Sequence, residues 1–152
     1  MRVKAEWGKY TWTFFHCLAE KMDENKASQA IPLILKWIKT LCDILPCPYC
    51  SDHASYFLYK ANLTDIKTKT DLIQFIFKFH NVVNKRVRHM IEEESILEKY
   101  KDMDFKVVTV NWYNNFVVRL VDVRLLMEKH KRNSARRFVL QELRKYIHLF
   151  NI

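Results

Sequence analysis

The chain has 152 residues, a formal net charge of +9, one glycine, three prolines and four cysteines. That length suits one domain with a real core, and so little turn punctuation excludes a sheet protein rich in tight turns. Cys17, Cys42, Cys47 and Cys50 all lie in the first third, too few and too clustered for a secreted disulfide scaffold.

No apolar run precedes "WGKYTW" at Trp7, so no signal peptide is expected. No uncharged apolar stretch approaches the roughly 20 residues of a membrane span. A soluble, cytoplasmic protein is the expectation. The first helix is predicted over about 4–22, with Trp12, Phe15, Cys17, Leu18 and Met22 on a wide apolar side. "DENKAS" at 23–28 reads as a loop. A second helix starts near Ser28 or Pro32, since proline is tolerated in a first turn. Ile34, Leu35, Trp37, Ile38 and Leu41 face inward.

Pro46 marks a break, and a third helix runs from Cys47 or Pro48 to near Ala61. Thr70 or Asp71 caps a fourth, which carries Leu72, Phe75, Ile76, Phe79, Val83 and Val87. "EEESILEKY" reads as a short helix, and "FKVVTVNWY" at 105–113 as a strand or a connection. Helical spacing returns from Asn111 to His130 through Trp112, Phe116, Leu120 and Met127. A last amphipathic helix spans about 134–150, with Phe138, Leu143, Ile147 and Phe150. The fold class is therefore all-α: a four-helix bundle, a short fifth helix and a mainly helical C-terminal extension.

"LPCPYCSDHASYF", residues 45–57, carries the chemistry. A C-x-x-C opening a helix suits disulfide exchange, because the N–H groups and dipole there stabilise the attacking thiolate. Three rivals stand beside that reading. "CPYC" matches the glutaredoxin active site, but that fold needs a preceding strand and a downstream proline, and no proline follows Pro48. Zinc could take Cys47, Cys50, His53 and one more ligand, but no second close pair is present. Two buried free thiols are the plain structural alternative. For Cys17 and Cys42 that alternative, apolar filler, leads over a disulfide between them or a shuttle role.

Two other stretches bear on the choice. In "WGKYTWTFFH", 7–16, Trp12 and His16 share a helix face. In "HNVVNKRVRH", 80–89, His80, Val83, Asn84 and Val87 share one, and Asn81, Lys85 and Arg88 line the next stripe. Stacking rings, amides and cations suit flat heterocycles joined by a pyrophosphate. Each residue also has a bland role, as core, cap or solvated surface. Together, W-G-K-x-x-W-x-x-x-H, then C-x-x-C, then H-N-x-V-N-K resemble the FAD-dependent sulfhydryl oxidases of the Erv/ALR type. The likeness is greatest to the compact members encoded by large DNA viruses and covers roughly residues 7–100.

The resemblance implies that Cys47 is attacked by the incoming thiolate of a protein dithiol, while Cys50 faces the flavin. It implies FAD contacts at Gly8, Lys9, Trp12, His16 and His53. His80, Asn81, Val83 and Asn84 would lie on the adenine and ribose side, with Lys85 and Arg88 for the phosphates and Tyr100 or Trp112 as a late aromatic. Oxygen would be the acceptor, giving hydrogen peroxide, and a homodimer is the usual state. With no second C-x-x-C, the dithiol donor would be a partner, such as a small thioredoxin-like protein. A compact oxidase of this kind fits viral assembly in a host cytoplasm. No resident metal and no nucleic-acid partner are expected.

Two segments follow: residues 1–103 as the FAD-binding sulfhydryl oxidase bundle, and 104–152 as a basic extension for packing, dimerisation or partner docking. The extension is more basic: residues 101–152 carry 11 basic and 5 acidic side chains, against 15 and 12 in residues 1–100. The alternative function is a non-enzymatic helical binding module whose basic tail holds nucleic acid or an acidic partner.

Overall fold

The computed structural model of the protein describes residues 6–117 and 123–152, without the side chains of 123–127. Seven α-helices and no strand form among these residues: α1 Trp7–Lys21, α2 Ala27–Cys42, α3 Pro48–Lys60, α4 Lys69–Arg86, α5 Glu98–Lys101, α6 Phe105–Asn115 and α7 Val123–Lys145. The expected all-α class, with its short fifth helix, is what the chain adopts. None of the described helices is long and apolar enough to cross a membrane.

Several boundaries differ from the sequence reading. Residues 4 and 5 of the expected first helix lie outside the described residues. Residues 23–28 are not a loop. Asp23 accepts the Asn25 N–H at 3.0 Å and caps a 3-10 turn, Glu24–Lys26, that runs straight into α2. Pro32 therefore sits in the second turn of α2, not the first, at the expense of one backbone bond. Thr68, not Thr70 or Asp71, caps α4. Its Oγ1 accepts the Asp71 N–H at 3.0 Å, while the Asp71 carboxylate accepts the Thr68 N–H at 3.1 Å, a reciprocal capping box.

The largest correction is 105–113, which is helix α6 and neither strand nor connection. Its many valines suggest a strand, but Phe105, Val108, Thr109 and Trp112 form a buried stripe at helical spacing. Asp104 caps it by accepting the N–H groups of Lys106 and Val107. Tertiary burial overrides the weak propensity of β-branched residues. Residues 111–130 are not one helix, since α6 ends at Asn115; Leu120 and the side chain of Met127 lie outside what is described. The last helix begins at Val123 and ends at Lys145, with a 3-10 turn at Ile147–Leu149. Its buried face is Arg132, Val139 and Leu143, followed by Leu149 and Phe150, while the expected Phe138 and Ile147 are exposed.

One apolar cluster contains residues from the whole described chain. Phe14 of α1 stacks on Trp112 of α6 at 4.2 Å, and Trp37 of α2 meets Phe150 at 6.2 Å. The chain end is pinned to the end of α1, where Asp23 donates to Leu149 O at 2.9 Å and Asn151 to Lys21 O at 2.7 Å. On the other side, Phe57 of α3 stacks on Phe79 of α4 at 4.6 Å. Burying each such ring contributes about 1.5–3 kcal/mol.

Candidate active site

Cys47 and Cys50 form a disulfide, with Cα atoms 5.2 Å apart. The motif folds this way because Pro48 takes the first helical position, where its missing N–H costs nothing. Cys47 becomes the N-cap: its Sγ accepts the Cys50 N–H at 3.2 Å, and its carbonyl accepts the Ser51 N–H at 3.0 Å. A sulfur at a helix N-terminus lies where thiolate is stabilised. Both cysteines are half-buried, and Cys50 packs against the apolar core. With their sulfurs joined, the pair offers no thiolates to zinc. Among the described residues no three His, Cys, Asp or Glu side chains converge as a metal site. Cys17 and Cys42 are free and buried, and no disulfide joins them. Burial pushes the Cys17 thiol up to about 11 and that of Cys42 further, so both are poor nucleophiles.

A wall of rings stands on α1 and α4. Trp12 stacks on His80 at 4.2 Å and 9°, and meets Phe79 edge-on at 4.9 Å. His16 stacks on Tyr100 of α5 at 4.4 Å and 10°. His16 Nε2 and His80 Nδ1 share a hydrogen bond of 2.9 Å, so one ring donates and the other accepts. Burial, reinforced by the neighbouring imidazole and Lys99, lowers His16 to about 3. Burial, with Lys99 and His89, lowers His80 to about 4. Both are neutral near pH 7. Phe57 and Phe79 link this wall to α3, so the sequence stretches singled out on three helices meet through ring contacts.

The other sequence-predicted residues fall into groups. Asn81 grips the chain after α4: its Nδ2 donates to Glu92 O at 3.0 Å and its Oδ1 accepts the Glu92 N–H at 2.9 Å. Asn84 is buried and reaches Asn81 at 3.5 Å, and Val83 packs on the core. Lys9, Lys85 and Arg88 are exposed. Gly8 has open space where a Cβ would stand and no positive φ, so nothing local requires glycine there. Arg88 has φ 61°, the left-handed position that ends α4, with the His89 N–H on Asn84 O at 2.8 Å and the Arg88 N–H on Lys85 O at 3.4 Å. Glycine is the usual residue there. Of the two late aromatics, Tyr100 joins the ring wall, whereas Trp112 stacks on Phe14.

His53 tests whether these residues fit a flavin. It lies one turn after Cys50, edge-on to Tyr49 at 4.2 Å, and Arg86 lies over the other ring at 5.8 Å. His53 Nε2 is buried with no hydrogen-bond partner among the described residues. A buried polar nitrogen of this kind calls for a partner, and a bound heterocycle with hydrogen-bonding edges would supply one. The residues fit the group.

Two residues that hold the turn before Cys47 escaped the sequence reading. Ser51 Oγ accepts the Leu45 N–H at 2.7 Å. Arg132, buried to 2% exposure, donates from Nε to Ile44 O at 3.1 Å and from Nη2 to Leu45 O at 3.3 Å. Nothing in "KHKRNSARR" distinguishes one buried arginine from its solvated neighbours, since that depends on what α7 packs against.

Fold and site together define a class: a helical bundle that presents a C-x-x-C disulfide at the N-terminus of a helix whose Phe57 contacts a half-buried aromatic wall. The chain belongs to the Erv1/Alr family, whose model matches residues 9–104. It is 31% identical over 110 residues to a FAD-linked sulfhydryl oxidase of African swine fever virus, covering 65% of this chain and 92% of that protein. It is 27% identical over 97 residues to protein 096R of Invertebrate iridescent virus 3, covering 62% and 66%. Similarity reaches the FAD-linked sulfhydryl oxidase ERV1 of Arabidopsis thaliana, 27% over 89 residues, covering 59% of this chain and 46% of that one. The chain thus spans less than two thirds of the length of the iridescent virus and plant proteins.

Proposed function

We propose that this chain is a FAD-dependent thiol oxidase that forms disulfides in protein dithiols, with oxygen as final acceptor and hydrogen peroxide as product. The observation that carries this is the half-buried Cys47–Cys50 disulfide at the N-terminus of α3. The names of the African swine fever virus and Arabidopsis relatives support the reaction class and the cofactor.

The roles of the two cysteines are those the family resemblance implies. A substrate thiolate attacks Cys47 Sγ, the sulfur on the turn. A mixed disulfide forms, the Cys47–Cys50 bond breaks, and the electron pair leaves on Cys50 Sγ. The second substrate thiolate then attacks the substrate sulfur and releases Cys47. The substrate has lost two electrons, and Cys47 and Cys50 hold them. FAD, when bound, supplies the two-electron acceptor and the reaction with oxygen that regenerate the disulfide. Trp12, His16, His80 and His53 would hold its flat rings, with Asn81, Val83 and Asn84 at the nucleoside end. Lys85 and Arg88, aided by Gly8 and Lys9, would meet its phosphates. The neutral His16–His80 pair offers hydrogen bonds without a charge.

A small thioredoxin-like protein is the proposed dithiol donor, and a homodimer the proposed assembly. The viral relatives support a place in virion assembly in a host cytoplasm. Residues 104–152 are proposed to complete the fold as well as to dock partners, because Trp112, Val139 and Leu143 belong to the core. The deciding test is the visible spectrum of the purified protein before and after dithiothreitol, with Cys50→Ser alongside. A flavin band that bleaches with dithiol and recovers in air, but not in Cys50→Ser, is expected. A colourless protein that takes up no added FAD would overturn the reading and leave the basic-tailed binding module.

A further inference from the structure

We propose that Arg132, outside the family-matched segment, is a positioning residue for the reactive disulfide; this rests on the oxidase reading of that site. The turn from Ile44 to Cys47 is short of its own donors. It follows the C-terminus of α2, where carbonyls lack helical partners, and Pro46 and Pro48 have no N–H. Arg132 supplies what the turn lacks, with Nε on Ile44 O at 3.1 Å and Nη2 on Leu45 O at 3.3 Å. From the opposite side, Ser51 Oγ accepts the Leu45 N–H at 2.7 Å. Leu45 is thus gripped at its N–H by α3 and at its C=O by α7, two residues before Cys47.

The choice of residue supports a positioning role. A guanidinium is costly to bury, and an exposed lysine would serve the end of α2 equally well as a point charge. Only the planar fork fixes two carbonyls at once. Glu128, 3.7 Å away on the same helix, partners its charge. With the turn held, Cys47 stays within disulfide reach of Cys50. Release of the turn gives the dithiol form more freedom than the disulfide form, so the disulfide becomes easier to reduce.

The test uses the full chain with Arg132→Met and Arg132→Lys, equilibrated with dithiothreitol of varied redox ratio. Dithiothreitol closes to its cyclic disulfide, giving two electrons and two protons, and Cys47–Cys50 becomes two thiols. Alkylation after denaturation and mass measurement count them, with Cys17 and Cys42 as a constant background. For Arg132→Met the equilibrium is expected to move at least about threefold toward dithiol, equally at about pH 5 and about pH 9. Arg132→Lys falls between, and oxidation of dithiothreitol by the flavin-loaded protein loses kcat rather than KM. An unchanged equilibrium overturns the proposal, and so does a shift that emerges only as the thiols ionise, which would mark a charge effect. If Arg132→Met does not fold, Arg132→Lys and Ser51→Ala carry the test: both must shift the same way, and no shift in either overturns it. The equilibrium needs no flavin. A shift in a chain that binds no FAD sinks the oxidase reading and keeps the positioning role; FAD-linked turnover with no shift does the reverse.

Discussion

Across α1, α4 and α5, Trp12 stacks on His80 and His16 on Tyr100, and the two histidines share one hydrogen bond. The turn before Cys47 has no such wall; it hangs on three hydrogen bonds, two of them from a residue 87 or more positions away. The wall is rigid through area and packing, which are non-directional and tolerant. The turn is rigid through directed polar bonds, each dependent on one partner. A wall of the first kind suits holding a flat group, and a turn of the second kind suits presenting one sulfur to a moving substrate. Damage should therefore spread differently from the two.

The largest effect is expected where the chemistry sits. Cys47→Ser or Cys50→Ser should lower dithiol-dependent oxygen uptake by at least about a thousandfold and leave the melting temperature nearly unchanged. A large loss of stability would place the disulfide among the fold's supports and erase the contrast. Phe79→Ala should act the other way. It removes a ring that touches Trp12, Phe57 and Phe75 and should cost about 3–5 kcal/mol in urea unfolding.

Acid should also attack the wall and spare the turn. His16 and His80 are neutral in the fold, lowered to about 3 and about 4 from 6.5, so the unfolded chain binds more protons once the pH drops below 6.5. Their stabilising contribution is present near pH 7 and is lost progressively as pH falls toward 4 and 3. The loss is already expected at pH 5, seen as a melting temperature lower there than at pH 7. His16→Gln should flatten that profile, and an equally steep profile in the variant would remove the pair as its source.

Two smaller tests lie at the ends of α4. Thr68→Ala breaks the capping box and should cost about 1 kcal/mol. Arg88→Gly relieves the left-handed φ and should gain up to about 1 kcal/mol. It should also weaken FAD binding if the guanidinium meets a phosphate. Tighter FAD binding in the glycine variant would return Arg88 to a purely local role.

Much of this was legible from residue spacing alone. The helical period of α1 and α4 places Trp12 with His16 and His80 with Val83, and Pro48 after Cys47 marks a helix start, because these signals act within a few residues. The 105–113 segment misled because its valines favour strand locally, and only burial against α1 makes the Phe105–Val108–Trp112 stripe decisive. Of the two starts expected for α2, the one near Ser28 lies one residue from the observed Ala27, and the Pro32 alternative misled because proline resembles a first-turn residue until the 3-10 turn ahead of it is seen.

By itself the sequence determined the helices of the bundle and the C-x-x-C pair at a helix start, since local periodicity and cap chemistry are written in neighbouring positions. Only the tertiary structure decided that His16 and His80 share one hydrogen bond, that Tyr100 and not Trp112 closes the ring wall, and that Arg132 holds the turn before Cys47. Those three depend on side chains 64, 84 and 87 or more residues apart. Contacts across such distances form when the packed core places their helices side by side, and no local preference encodes them.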